Sequence, residues 1–122
     1  MITLLRLNHL QLCIPIGKEE EAKKFYCGIL GLHEIPKPEI LIPNGGFWLQ
    51  AGDIQIHIGV ENEINQSKRH PAFEVGNIDE AKKHLEKFKI PINEEKPIPG
   101  QKRFSFKDPF GNRIEFLQRE EF

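Results

Sequence analysis

The sequence predicts an α+β fold made of two βαβββ modules that repeat along the chain. The tetrapeptide EAKK begins at Glu21 and again at Glu80, about sixty positions later, and each copy lies within a helical pattern. Strand-like alternation flanks both helices, and 122 residues suffice for one domain of ordinary size. We therefore expect a single domain over 1–122, with module one at 1–62, a polar linker at 61–69 and module two at 70–122.

The composition is that of a globular protein, with 39% hydrophobic and 29% charged residues. A formal net charge of −1 gives no basic excess to attract a nucleic-acid backbone, so we expect no nucleic-acid partner. Polar residues interrupt the apolar start of the chain long before the roughly 20 residues that span a bilayer, so we expect no membrane segment. Cys13 and Cys27 form no CxxC pair, which makes the cytoplasm the expected location.

Module one begins with an alternating strand that opens at His9. A helix is predicted over 18–30, because apolar side chains recur there with helical spacing and Gly31 suits the position after the helix end. Alternating runs over 47–50 and 54–58 predict two further strands.

The connection over 36–46 contains three prolines and paired glycines around the apolar residues Ile40, Leu41 and Ile42. Two interpretations stay open at this point. The connection is either a mobile rim or lid over a site, or a surface loop with one docked hydrophobic cluster.

Module two opens with a strand at His70, and its helix begins at Asn77, where Glu80 completes a capping box. The residues over 107–112 predict a tight turn that fixes the register of the closing strand, which carries Glu115. Four apolar side chains of the helix are expected to point inward: Ile78, Ala81, Leu85 and Phe88.

One face of the predicted strands carries side chains that are unusual for a face in contact with water. Strand alternation places the aliphatic residues on the opposite face, under the helices. An ordinary solvated face is common in antiparallel sheets and is the alternative explanation, but such a face is usually rich in Lys, Glu and Thr. The face instead predicts a lined concavity. Its residues include His9, Gln11, Cys13, Trp48, Gln50, Gln55, His57 and His70.

Four of the strand residues, His9, His57, His70 and Glu115, are related to one another by the repeat. If two such half-sheets surround a common cavity, the repeat symmetry brings these side chains together near its middle. Three imidazoles and a carboxylate suit a divalent ion such as Zn²⁺, Ni²⁺, Mn²⁺ or Fe²⁺. The alternative is that each histidine is a hydrogen-bonded structural residue of its strand.

Four segments of the chain resemble the vicinal oxygen chelate superfamily, which contains the glyoxalase, bleomycin-resistance and extradiol dioxygenase proteins. The resemblance implies an open mixed-sheet barrel around a metal-binding cavity, formed by paired βαβββ modules, and it implies a homodimer. The modules then pair either within one chain or between chains. The segments are LNHLQLCIP, FYCGILGL, RHPAFEV and DPFGNRIEFLQ.

The resemblance also implies roles for individual residues. His9, His70 and Glu115 match ligand positions of the superfamily, and His57 falls where glyoxalase I-like members usually have a carboxylate. The implied chemistry is Lewis-acid catalysis on two neighbouring substrate oxygens, with Glu115 as a metal ligand first and a base second. The residues implied to line the substrate pocket are Trp48, Gln50, Gln55 and Arg103, of which Arg103 suits a carboxylate or phosphate or is a surface strand charge.

Two functions follow from these observations as hypotheses. The first is a small metalloenzyme of lyase, isomerase, transferase or dioxygenase type that acts on a small molecule. The second is a metal-free protein that binds and sequesters a small molecule, as bleomycin-resistance members do. All four candidate ligand positions carry groups able to bind a metal, which favours the enzyme.

Overall fold

The computed structural model describes residues 1–63 and 66–120. The chain divides into two compact units, residues 1–64 and 65–122, and each unit is a βαβββ module. Residues 64–65, inside the predicted linker over 61–69, lie outside the described residues, as do residues 121–122 of the predicted second module. The predicted α+β class is confirmed.

The first unit contains one four-stranded mixed sheet. The elements of this unit are β1 (His9–Pro15), α1 (Glu19–Lys23), β2 (His33–Ile35), β3 (Phe47–Ala51) and β4 (Ile54–Glu61). Strand β1 pairs with β4 in parallel, whereas β4 with β3 and β3 with β2 are antiparallel, in the order β1-β4-β3-β2. The sheet is open, since β1 and β2 are its edges.

The helix predicted over 18–30 is a short α-helix, α1, that continues as a π-helical segment, Lys24–Ile29. The wider turn is visible in the bond from the Leu30 amide to the Phe25 carbonyl, five residues back. Phe25 and its neighbour Tyr26 lie in this segment, and both are buried, at 3% and 1% exposure. Gly31 follows with φ of +79°, the conformation expected after a helix end.

Strand alternation buries the aliphatic face of the first sheet, as the sequence predicts. Each buried Leu or Ile side chain contributes roughly 1.5–3 kcal/mol relative to exposure. The side chains that alternate with them lie on the other face of the sheet, which carries the candidate site residues. The buried residues are Ile14, Phe47, Leu49, Ile56 and Ile58.

The second unit repeats this arrangement. Its elements are β5 (Ala72–Glu74), α2 (Ile78–Lys87), β6 (Asn93–Glu94), β7 (Gln101–Lys107) and β8 (Arg113–Arg119). The strand order is β5-β8-β7-β6, with β5 parallel to β8 and the other neighbours antiparallel. This sheet is also open, with β5 and β6 at its edges.

Helix α2 begins as predicted, because the Asn77 side chain accepts a hydrogen bond from the Glu80 amide at 3.0 Å. Ile78 and Leu85 are buried against the sheet. The inward placement predicted for Phe88 is wrong, since this side chain is 44% exposed. The helix ends at Lys87, so Phe88 no longer follows the helical spacing on which that prediction depended.

The turn over 107–112 is organised by the carboxylate of Asp108. Its Oδ1 accepts hydrogen bonds from the amides of Phe110 and Asn112, at 2.9 and 2.8 Å. Gly111 has φ of +94°, which an L side chain rarely adopts. The turn sets the β7–β8 register, in which Ser105 lies opposite Glu115.

Candidate functional site

In the first unit, three aromatic rings from three neighbouring strands form one stack. His57 on β4 lies between Trp48 on β3 and His9 on β1, with ring centroids 3.8 and 4.0 Å away. Neighbouring strands are about 4.8 Å apart, so same-face rings at matched register positions stack readily. Trp48 and His57 are direct partners in the antiparallel ladder.

The environment of His57 favours the neutral imidazole. The side chain is 7% exposed, and this burial lowers the pKa of His57, with the charges of His9 and Lys37 adding to the effect. Its Nε2–H donates a hydrogen bond to Oε1 of Gln55 at 2.9 Å. The lone pair of a neutral His57 therefore lies on Nδ1.

The stacked arrangement differs from that of two ligands on one metal ion. The planes of His9 and His57 are within 15° of parallel, and the lone pairs of imidazole nitrogens lie in the ring plane. Two ligands of one ion must instead direct their lone pairs at a common point. His9 Nδ1 is also engaged, at 2.9 Å from the Asn8 side-chain oxygen.

The predicted pocket residues of the first unit have different surroundings. His9, Trp48 and His57 line a cavity of about 530 Å³. The amide of Gln50 instead donates to the carbonyls of Gly52 and Ile54 and so holds the β3–β4 turn. Gln55 is not among the residues that line this cavity, but it holds His57, which does.

The connection over 36–46 borders the same cavity. It contains a 3₁₀ helix, Glu39–Asn44, and its residues Lys37 and Leu41 are among those that line the space. Ile40 and Ile42 are 85% and 58% exposed, so the docked hydrophobic cluster considered from the sequence is wrong.

In the second unit, Glu115 on β8 is buried and held by Arg103 on β7. Arg103 Nη2 donates to Oε1 at 2.7 Å and its Nε donates to Oε2 at 3.3 Å. The carboxylate raises the pKa of Arg103, and the pair forms a two-point ion pair with Glu115 only 5% exposed. Arg103 therefore interacts with the candidate ligand Glu115, and its Nη1 donates to the Lys96 carbonyl.

His70 approaches Glu115 from the start of the second module. Its Nδ1–H donates to the Lys68 carbonyl at 2.8 Å, which leaves the lone pair of the neutral ring on Nε2. That Nε2 is 3.6 Å from Oε1 of Glu115, a contact that is an ion pair when the ring is protonated and two facing acceptor atoms when it is neutral. Two ligands of a tetrahedral zinc ion are about 3.4 Å apart, and ligating histidines commonly bond a carbonyl through the other ring nitrogen.

The structure therefore brings the four predicted ligands together as two pairs, His9 with His57 and His70 with Glu115. Within residues 1–63 and 66–120, no group of three or more His, Cys, Asp or Glu side chains is arranged to hold a metal ion.

The sequence reasoning missed two features of this site. The Arg103–Glu115 pair is a diagonal neighbour pair of the β7–β8 hairpin, so the turn and its register contained the signal for it. Lys37 lies between Pro36 and Pro38, a stiff segment that marks a positioned side chain, but nothing in the sequence indicates which cavity it lines.

The comparisons with known proteins agree with this architecture. The family model described as the Glyoxalase/Bleomycin resistance protein/Dioxygenase superfamily matches residues 6–116, and the chain belongs to this superfamily. A solved structure from Bacillus anthracis, assigned to the glyoxalase family, is 45% identical with a TM-score of 0.92, over 98% of this chain and 99% of that one. A comparison with curated proteins found no match.

Two more distant structures share the fold. The lactoylglutathione lyase from Agrobacterium tumefaciens is 19% identical with a TM-score of 0.77, over 95% of both chains. TnmS3, an antibiotic-binding protein from Streptomyces sp. CB03234, is 16% identical with a TM-score of 0.69, over 97% of this chain and 100% of that one. Identities this low establish the glyoxalase-like fold alone. No helix among the described residues is long and apolar enough to cross a membrane.

Proposed function

We propose that this protein is a small metal-dependent enzyme of the glyoxalase type, which binds two neighbouring oxygens of a small substrate. The observation that carries the proposal is the His70–Glu115 pair, in which an imidazole Nε2 faces a carboxylate oxygen at 3.6 Å. Two acceptor atoms at this separation repel each other unless a cation or a proton lies between them. The hydrogen bond from His70 Nδ1–H to a backbone carbonyl supports the ligand role.

The proposed ligand set is His9, His57, His70 and Glu115, and its chemistry fits Zn²⁺, Ni²⁺, Mn²⁺ or Fe²⁺. The parallel rings of His9 and His57 must change rotamer to direct both lone pairs at one ion. When bound, such an ion supplies a Lewis acid that polarises the substrate oxygens. Three neutral imidazoles and one carboxylate leave a divalent ion with one uncompensated positive charge, which favours ionised substrate oxygens over neutral ones.

The residues of the chain then have separate tasks. Glu115 is the ligand that can also accept a proton from the substrate, and Arg103 orients its carboxylate through two hydrogen bonds. Trp48 provides an apolar wall. Gln50 holds the turn between β3 and β4, and Gln55 holds the ring of His57 beside Trp48. Lyase, isomerase, transferase and dioxygenase reactions are all compatible with this assignment.

A second candidate function, metal-free binding of a small molecule, is favoured by a different observation. Arg103 already neutralises Glu115 through a two-point ion pair, so the carboxylate is stable in this position without a metal. The stack of Trp48, His57 and His9 also presents an aromatic surface that could hold a planar ligand.

Elemental analysis of the protein purified without added metal separates the two functions. The enzyme proposal predicts about one equivalent of a transition metal, a large loss in His70→Ala and Glu115→Gln, and no loss in His84→Ala. His84 is an exposed histidine of α2 and serves as the matched control. Circular dichroism verifies that each variant is folded. Equal metal content in all four proteins, or none after Zn²⁺, Ni²⁺, Mn²⁺ and Fe²⁺ are offered, contradicts the enzyme proposal and favours the binding protein.

We also propose a homodimer located in the cytoplasm. The exposed apolar residues Ile2, Leu4, Leu5 and Leu7 directly precede β1, an edge strand, and such a patch suits contact with a second copy. Cys13 and Cys27 are not joined in a disulfide, which suits a reducing compartment.

A further inference from the structure

The residues that line the cavity of the first unit include one cation, and the nearby carboxylate of Glu19 is engaged by the Gly46 amide at 3.3 Å. The volume of the cavity is about 530 Å³, and Lys37 is the only Lys, Arg, Asp or Glu residue among those that line it. The other polar groups at its surface are the amides of Gln11 and Asn44 and the imidazoles of His9 and His57. A low-charge cavity with one cation attracts an anionic group from solution.

The position of Lys37 is fixed by its neighbours in sequence and by one hydrogen bond. Pro36 and Pro38 restrict the backbone on both sides, and Pro38 has φ of −55°. The ammonium group donates to the Gly45 carbonyl at 2.5 Å, which leaves two of its three N–H donors for a ligand. A cation held in this way loses little conformational entropy when it binds an anion.

The backbone beside Lys37 is packed too closely to shift easily. Gly46 has φ of +78°, and a Cβ at this position would lie 2.0 Å from the Ile58 carbonyl oxygen on β4. The connection over 36–46 is therefore seated against the strand that carries His57. The charge of Lys37 is also one of the causes that lower the pKa of His57, in agreement with their proximity.

We infer that Lys37 forms an anion subsite in the first-unit cavity, which holds a carboxylate or phosphate group of a small ligand beside Trp48 and His57. The apolar side chains of Leu41 and Val60 at the same cavity suit a small hydrophobic body attached to that group. The inference rests on the proposed function in that it names the substrate class of the same site. Anion binding at Lys37 nevertheless requires no metal.

The test uses the fluorescence of Trp48, the only tryptophan of the chain, as a reporter within the cavity. Benzoate, phenylphosphonate and the neutral benzamide are titrated into the full-length protein in the presence of EDTA. Benzoate and phenylphosphonate are expected to change the emission with saturation, whereas benzamide binds at least tenfold more weakly. The relative affinities of the two anions show whether the subsite prefers a carboxylate or a phosphate.

Lys37→Met is expected to weaken binding of the preferred anion by about tenfold or more, because a hydrogen bond to a charged group is lost. Lys37→Arg is expected to retain most of the affinity, and Lys24→Met, at an exposed lysine of the same unit, leaves it unchanged. An equal affinity in Lys37→Met, or equal binding of benzoate and benzamide by the unmodified protein, overturns the inference.

Two measurements keep this result separate from other failures. If Lys37→Met merely displaced the connection over 36–46, benzamide binding would weaken in parallel with anion binding, and this outcome also overturns the inference. The metal content of the protein as purified, measured before EDTA is added, tests the proposed enzyme function independently. Lys37-dependent anion binding by a protein that purifies without metal and takes up none when it is offered supports the subsite and rejects the enzyme. A protein that holds metal but shows no Lys37-dependent anion binding rejects only the subsite.

Discussion

Removal of Arg103 tests whether the buried carboxylate of Glu115 depends on its ion pair. The pair has two hydrogen bonds, of 2.7 and 3.3 Å, and the side chains of Arg103 and Glu115 are 16% and 6% exposed. Removal of one partner from a buried pair costs about 3–5 kcal/mol, since an uncompensated charge stays behind. The residual exposure of Arg103 admits some water, so we expect Arg103→Met to lose about 3 kcal/mol.

The assay is thermal unfolding at pH 7 with EDTA, followed by circular dichroism. For a chain of this length, about 3 kcal/mol corresponds to a fall of roughly 10 °C in Tm. Arg119→Met is the matched control, because Arg119 forms the same type of pair with Glu74 but the two side chains are 72% and 51% exposed. Because solvent screens this exposed pair, the control is expected to lose far less stability than Arg103→Met.

A double-mutant cycle distinguishes the ion pair from simple loss of packing. The variant with both Arg103→Met and Glu115→Gln leaves no buried charge behind, so it should be more stable than Arg103→Met alone. Additive losses in the cycle, or a loss in Arg103→Met no larger than that of the Arg119→Met control, would refute the assignment of Arg103 as the counter-ion of Glu115.

Two further predictions concern the backbone near the cavity and the stability at acid pH. Gly46→Ala should destabilise the protein by about 2–3 kcal/mol, because the new Cβ would lie 2.0 Å from a backbone carbonyl oxygen. The control is Gly76→Ala, whose Cβ would have nothing within 4 Å and should leave the free energy of unfolding in urea nearly unchanged. Hydrogen bonds from Ser105 and then Arg113 hold the pKa of Glu95 below its usual value, so its contribution is present above pH of about 4.3 and is lost as the pH falls further. Thermal unfolding at pH 7, 5 and 3 should therefore show a smaller fall in Tm with acid for Glu95→Gln than for the unmodified protein. An equal fall in the two proteins would contradict this.

The sequence was most informative about structural features that depend on local or repeating patterns. The EAKK repeat located both modules, and the capping box at Asn77 placed the start of α2. The turn at Asp108 fixed the hairpin register and thereby the strand position of Glu115. Each of these features is determined by residues within a few positions of one another or by pairing across one tight turn.

The features that the sequence did not reveal depend on side-chain rotamers and on distant segments. The stack of His9, His57 and Trp48 was predicted as a shared face, but face periodicity does not specify whether ring planes converge or lie parallel. The π-helical segment after α1 contains the buried residues Phe25 and Tyr26, and no distinct sequence pattern marks it.

The ion pair of Arg103 and Glu115 bears on both functions that we propose for this chain. A buried carboxylate requires a cation, and in the second unit the guanidinium of Arg103 already meets that requirement. A divalent metal on Glu115 would have to share or displace this partner, at a free-energy cost that lowers metal affinity. The two functions proposed for this chain therefore differ in which cation neutralises Glu115: a metal ion in the proposed enzyme, and Arg103 in the proposed binding protein.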